Sequence, residues 1–183
     1  MESSILLVDD EPNVAMALTR ALLDEPYGVS TARGGEEALK VMAQQRFKVV
    51  ISDERMPGMA GAEFLSIVRE RFPEIVRIML TGHASLEATM KAVNSGEIYR
   101  FFTKPWNDTE LKLAIRSAIE KYDLEAENRR LLKTVRHQAA ELRTLEQRYP
   151  GITRIDRDGS GTVVVPEMPD DEIARLIERY NRE

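Results

Sequence analysis

Asp53 closes an apolar run, Val49-Val50-Ile51, and is followed by the turn sequence Met56-Pro57-Gly58. This is the pattern of a buried strand that hands a carboxylate to a loop. Three more apolar runs end in groups with chemistry of their own. Ile5-Leu6-Leu7-Val8 ends in Asp9-Asp10, Val76 to Leu80 ends in Thr81, and Ile98 to Phe102 leads to Lys104-Pro105. In an open parallel sheet, ligand sites form at the carboxyl ends of the strands. Three acids, a hydroxyl and an amine gathered there suit a divalent cation and a phosphoryl group. A carboxylate that attacks a phosphoryl group brings anion to anion, so it needs cationic neutralisation and donors for the equatorial oxygens. Asp9 and Asp10 beside Asp53 offer the hard oxygens that Mg²⁺ prefers. Three such carboxylates would repel one another without a cation. Lys104 supplies a point charge and Thr81 a hydroxyl donor. Taken singly, each of these residues is an ordinary turn or cap residue; the chemistry lies in their convergence.

The elements that would position them alternate. Strands are expected near 4–8, 28–32, 48–52, 76–80 and 98–102, and helices near 12–24, 35–45, 61–72, 85–95 and from 108 onward. Such alternation argues for an α/β fold, a parallel sheet with helices on both faces. Tyr27-Gly28-Val29-Ser30-Thr31 is short and half apolar, which suits a sheet edge. Asn107-Asp108 and Thr109-Glu110 supply a cap and an acidic first turn for the last helix.

The motifs VDDEP, SDERMPGMAG, MLTGHA and RFFTKPW, in this order and spacing, resemble the receiver domain of a bacterial two-component response regulator over roughly residues 4–120. The stretch IYRFFTKPWND is most similar to receivers of the hydrogenase-regulator type and of regulators with phosphodiesterase outputs. The resemblance implies a flavodoxin-like doubly wound fold with a five-stranded parallel sheet. It implies that Asp53 accepts a phosphoryl group from the phosphohistidine of a sensor histidine kinase or phosphotransfer protein. Asp10, Asp53 and the Arg55 backbone carbonyl would ligate Mg²⁺, with Asp9 acting through water. Thr81 and Lys104 would bind the phosphoryl oxygens. Phe101 matches the aromatic switch position, where many relatives carry tyrosine, so any switching here rests on ring packing. Arg55 and His83 flank the site and would tune rates.

The last helix outruns a receiver. From Asn107 to Arg148 there is neither proline nor glycine. Leu124, Leu131, Val135, Leu142 and Leu145 recur at spacings of a heptad seam, with Asn128 and Gln138 in the same seam. This predicts a coiled coil and a homodimer through 124–145, with Asn128 fixing register. Glu120 would face Glu125, and Glu141 would face Glu146, across a parallel pair, which weakens it. A long helix packed on its own chain is the alternative. Pro150-Gly151 ends the helix; a small hairpin, 152–155 and 162–165, and a short amphipathic helix with Ile173, Leu176, Ile177 and Tyr180 are expected to follow. Asp156, Asp158, Ser160, Gly161 and Glu167 match a calcium-loop pattern. Proline on both sides and the strand-like Thr162 to Val165 favour the hairpin. The expected division is thus a receiver over 1–120, a helical extension over 121–149 and an interaction element over 150–183.

The chain has 183 residues, 43% hydrophobic and 31% charged, the balance of a globular protein. A net charge of -5 gives no drive toward nucleic acid. With no cysteine, disulfides, thiol catalysis and zinc-thiolate sites are excluded. His83 and His137 are too far apart in sequence to suggest a metal pair. No run of 18 apolar residues exists, and the first strand begins too early for a signal peptide, so a cytoplasmic location is expected. Signalling through protein contacts, without an enzymatic output, is the expected function. The rival readings are a DNA-binding regulator using the basic stretch Arg129, Arg130, Lys133, Arg136 and His137, and a metal-dependent phosphohydrolase.

Overall fold

The computed structural model describes residues 3–82, 98–149 and 151. Five strands form where the apolar runs lie: β1 (Ser3–Val8), β2 (Tyr27–Ala32), β3 (Val49–Asp53), β4 (Val76–Thr81) and β5 (Arg100–Thr103). They make one sheet in the order β2-β1-β3-β4-β5, and every neighbouring pair is parallel. The half-apolar β2 takes an edge, as its composition predicts. The order reverses direction between β1 and β3, which opens a crevice at the carboxyl ends of those two strands.

Alternation along the strands sorts the core into two faces. Ile5, Leu7, Val49, Ile51, Val76, Ile78 and Leu80 lie on one face, packed with Leu18 and Leu22 and with Leu111, Ala114, Ile115, Ala118 and Ile119. Leu6, Val8, Val50 and Met79 lie on the other, with Ala38, Met42, Phe64, Leu65 and Val68. The helices are α1 (Pro12–Ala21), α2 (Gly35–Gln44), α3 (Gly61–Arg71) and α4 (Asp108–Arg148). So α1 and the start of α4 cover the first face, and α2 and α3 the second. The buried positions of α4 follow the i, i+3, i+4 stripe of a core-facing helix. Asn107 caps α4, its Oδ1 accepting the Glu110 N–H at 3.1 Å.

Two boundaries differ from the expectation. Helix α1 stops at Ala21 rather than near residue 24, because the chain turns through Leu22 to Glu25 ahead of Pro26, with Glu25 N–H bonded to Leu22 O at 3.0 Å. Strand β5 starts at Arg100, two residues late, since Ile98 is buried in the second core face before pairing begins. The helix expected near 85–95, His83, the hairpin, the calcium-loop pattern and the closing helix lie outside the described residues. The chain divides into two compact units, Met1–Arg130 and Leu131–Glu183, and the sheet belongs to the first. Among the described residues no helix is long and apolar enough to cross a membrane.

Among the described residues three ion pairs tie α4 to the body of the first unit, the longest between Lys112 Nζ and Asp24 Oδ2 at 3.9 Å. Lys48 Nζ lies 2.6 Å from Asp123 Oδ1, and Arg116 Nη2 lies 2.7 Å from Glu25 Oε1. The hydrogen bonds from Arg116 keep the Glu25 carboxyl below its usual range, against the opposing effect of desolvation.

Gly61 fixes where β3 ends. Its N–H donates to Glu54 O at 2.9 Å, and a Cβ there would lie 1.9 Å from Asp53 O. The obstacle is backbone, so it cannot step aside. Gly61→Ala should lower the unfolding free energy by about 1–3 kcal/mol, measured by urea denaturation. Gly34→Ala, where nothing lies within 4 Å of the added atom, should stay within about 0.5 kcal/mol of the parent.

Candidate functional site

Among the described residues the buried polar side chains are Asp9, Ser52, Asp53 and Thr81. Burying such groups costs stability unless they are bonded, so their clustering marks a site rather than a core. Register explains the clustering. Val8 pairs with Ser52, Asp53 with Leu80, and Thr81 with Thr103, so the four strand ends stand in one row.

Each acid is held by its own turn. The Glu11 N–H donates to Asp9 Oδ1 at 2.9 Å, and the Arg55 N–H donates to Asp53 Oδ2 at 2.9 Å. Both are the two-residue side-chain turns that Asp favours. They leave the second oxygen of each carboxylate for Lys104. The ammonium donates to Asp9 Oδ2 at 2.9 Å and is paired with Asp53 Oδ1. Asp9 is almost wholly buried there, its side chain 1% exposed. Lys104 is delivered by β5, whose end is tied to β4 by the Lys104 N–H on Thr81 O at 2.9 Å. The Lys104–Pro105 peptide that follows is cis. Desolvation alone would push the ammonium down. The hydrogen bonds that the ammonium donates to Asp53 and Asp9, with the charges of those acids, outweigh it and hold Lys104 above the ordinary lysine value.

Thr81 is buried at the end of β4, and its hydroxyl is hydrogen-bonded to Glu54 Oε2 and lies 2.8 Å from Gly82 O. Phe101 pairs in register with Met79 and packs half-buried on the second core face. The Arg55 side chain is exposed and reaches over Gly82, where a Cβ would lie 3.3 Å from Nη2. Asp10 is half-buried in the turn after Asp9.

Asp9, Asp53 and Lys104 therefore meet, with Thr81 beside Asp53 in the adjacent strand. Asp9, Asp10 and Asp53 do not close into a three-acid cage, and no such group exists among the described residues. The Lys104 ammonium stands between two of the acids in the cation's stead. The donor chemistry still fits Mg²⁺, which takes one or two carboxylates and keeps waters rather than filling an all-protein cage. Glu54 is the residue that motif reading passed over. An acid immediately after the presumed acceptor adds a like charge where one is least welcome, and that anomaly was its signal.

A family model described as "Response regulator receiver domain" matches residues 5–116. The hydrogenase transcriptional regulatory protein HoxA of Cupriavidus necator is 34% identical over 98% of this chain and 38% of its own length. The nitrogen assimilation regulatory protein NtrX of Azorhizobium caulinodans is 34% identical over 72% of this chain and 29% of its own. The chain thus spans well under half the length of these curated relatives. Among solved structures, the receiver of an HD domain-containing protein from Pseudomonas fluorescens has a TM-score of 0.65 at 39% identity, covering 69% of this chain and 93% of its own. A protein described as adenylate cyclase from Rhodopirellula baltica has a TM-score of 0.69 at 39% identity, covering 73% of this chain and 98% of its own.

Lys104 sets a pH dependence. Its folded pKa is raised, so its pairing contributes fully below the ordinary value of 10.5 and is lost as pH rises through the higher folded value. In chelator at pH 7, Lys104→Met should be less stable than the parent by about 1–3 kcal/mol. The gap should narrow above pH ~10.5. Millimolar Mg²⁺ should stabilise the variant more than the parent, because the two acids it leaves unpaired gain a cation. Urea midpoints across pH and Mg²⁺ check all three.

Proposed function

Since the chain belongs to the response regulator receiver family, we propose that it is a two-component phosphorelay protein that accepts a phosphoryl group on Asp53. The observation that carries this reading is the Lys104 ammonium shared by Asp9 and Asp53 at the switch point of the sheet. An Asp53 oxygen would attack the phosphorus of a phosphohistidine on a sensor kinase or phosphotransfer protein. The new O–P bond forms as the P–N bond breaks, and the imidazole leaves with the electron pair. Lys104 can follow the new phosphoryl oxygens while keeping Asp9, and Thr81 is the adjacent hydroxyl donor. Asp9, Asp10, Asp53 and the Arg55 carbonyl would hold Mg²⁺, which supplies neutralisation of the developing charge. Phe101 packs next to Thr81's strand neighbour Met79, so its ring is placed to answer a move of Thr81. A kinase donor of this kind makes the cytoplasm the proposed compartment.

Incubation with acetyl phosphate or phosphoramidate in Mg²⁺ should add one phosphoryl mass to the intact chain. Asp53→Asn and excess chelator should each abolish it. An adduct that survives either treatment overturns the assignment.

The proposed output is protein contact, with the receiver over 1–120, the extension over 121–149 and the interaction element over 150–183 kept as the working division. Beyond the core stripe of α4, Leu124 is 72% exposed, and Leu131, Val135, Leu142 and Leu145 are exposed in turn. Their heptad spacing fits a second copy of the same helix. The basic stretch is paired along its own helix, Arg129 with Glu125 at 4.0 Å and Arg130 with Glu127 at 3.8 Å, as on a solvated face. Sedimentation of the full chain should show a dimer that added salt strengthens by screening the acidic flanks. Charged residues at Leu131 and Val135 should return it to monomer. A chain monomeric at high concentration in all states refutes the seam.

A further inference from the structure

Thr81 has one proton to donate. Glu54 Oε2 takes it, in a charge-assisted hydrogen bond, and Gly82 O stands near as the other acceptor. Glu54 is held to this task by its backbone. Its N–H donates to Leu80 O at 2.9 Å, and its carbonyl accepts the Gly61 N–H at 2.9 Å. The backbone is pinned to β4 on one side and to the start of α3 on the other. Only rotation of the side chain frees Thr81. Thr81 is almost fully buried, so water is a poor substitute acceptor.

We propose that Glu54 is a positioning residue that withholds the Thr81 hydroxyl from the acceptor site, so that a phosphoryl group on Asp53 must displace its carboxylate. This rests on Asp53 being the acceptor. The exchange replaces one anionic acceptor by another for Thr81. It leaves Glu54 without that donor and beside a group of charge near -2. Both consequences oppose the phosphorylated arrangement. Glu54 thereby raises the threshold for a response, and a neutral side chain at the position lowers it. Lys104 plays the complementary part, since it already neutralises the acids and can follow the phosphoryl oxygens while keeping Asp9.

The test is titration of the full chain with beryllofluoride, a phosphoryl mimic, at saturating Mg²⁺, read by the ¹⁹F signal of the bound anion. The parent, Glu54→Gln, Glu54→Ala, Thr81→Ala and the double variant Glu54→Gln with Thr81→Ala are compared. Both Glu54 variants should bind roughly three- to tenfold more tightly than the parent. Removing the charge also acts through space, and the Thr81→Ala background measures that part alone. There the gain from Glu54→Gln should fall below about twofold. A gain of the same size in both backgrounds overturns the proposal, because Glu54 would then act as a distant charge. Unchanged or weaker binding in both Glu54 variants overturns it as well, with the acceptor reading intact. Absence of a bound signal in the parent, or its survival in Asp53→Asn, removes the acceptor reading and this inference together.

Discussion

The ammonium of Lys104 sits on two carboxylates, Asp9 and Asp53, that come from adjacent parallel strands. Two acids buried at neighbouring strand ends repel strongly in a low dielectric. A cation between them therefore stabilises the sheet order that brings β1 beside β3 at this end. The cation arrives from the far edge of the sheet: β5 is separated from β3 by β4, and the long lysine side chain spans that gap. This is why the Lys104 backbone is bonded to Thr81 O, and why a two-residue turn fixes each acid. The pairing is thus a constraint on the fold as well as a chemical device. It also sets the metal question, since any Mg²⁺ entering here meets a site whose charge is already half balanced.

Much of this was legible because the signals were local. Runs such as Val49 to Ile51 and Val76 to Leu80 are β-rich and apolar on both faces, which is what central parallel strands require. The weakness of β2 announced its edge position for the same reason. Spacing within α4 announced both its core stripe and the change of character after Ile119. What failed to show was what depends on side chains meeting across the sequence. Residue types could not reveal that Lys104 would bridge Asp9 and Asp53, leaving Asp10 outside the cluster. Asp9 and Asp10 are the same residue type in adjacent positions, and strand pleat alone decides which one turns inward. Glu54 stood out only as a like charge beside Asp53, and its role was hidden for a related reason. Only the approach of Thr81 from β4 gives it a partner. The boundary of α1 shifted at a turn, where the Glu25 N–H bond to Leu22 O outranks apolar pattern, and that of β5 shifted because Ile98 is apolar for the core rather than for the strand.

Helix α4 shows how one element carries two kinds of surface. Up to Ile119 the stripe Leu111, Ala114, Ile115, Ala118 and Ile119 repeats as a globular helix demands, and it is buried. At Tyr122 and Asp123 the contacts become polar. Lys48 pairs with Asp123 and lies 5.9 Å from the Tyr122 ring. From Leu124 the spacing narrows to a seam and its leucines are exposed. A surface ion pair contributes little stability by itself. Its value here is directional: with Arg116 on Glu25, it fixes how the first part of the helix lies against the body of the first unit.

Among the described residues, no buried side-chain nitrogen or oxygen lacks a hydrogen-bond partner. That bears on how such a site would switch. In a site with idle donors, a phosphoryl group would gain bonds and lose none, and its binding would need no rearrangement. Here Lys104 is committed to Asp9 and Asp53, and Thr81 to Glu54. The bond that Thr81 would offer a newcomer is taken from an existing partner. The free energy of the proposed response is then a difference between two well-bonded arrangements, which keeps it small and reversible. It also makes the response a relocation of side chains rather than a tightening of the site. The residues that must move are those that surrender a partner. Thr81 is the one among them that stands on the strand next to Phe101, so in the proposed response a change at Asp53 would reach that strand through the hydroxyl that Glu54 holds.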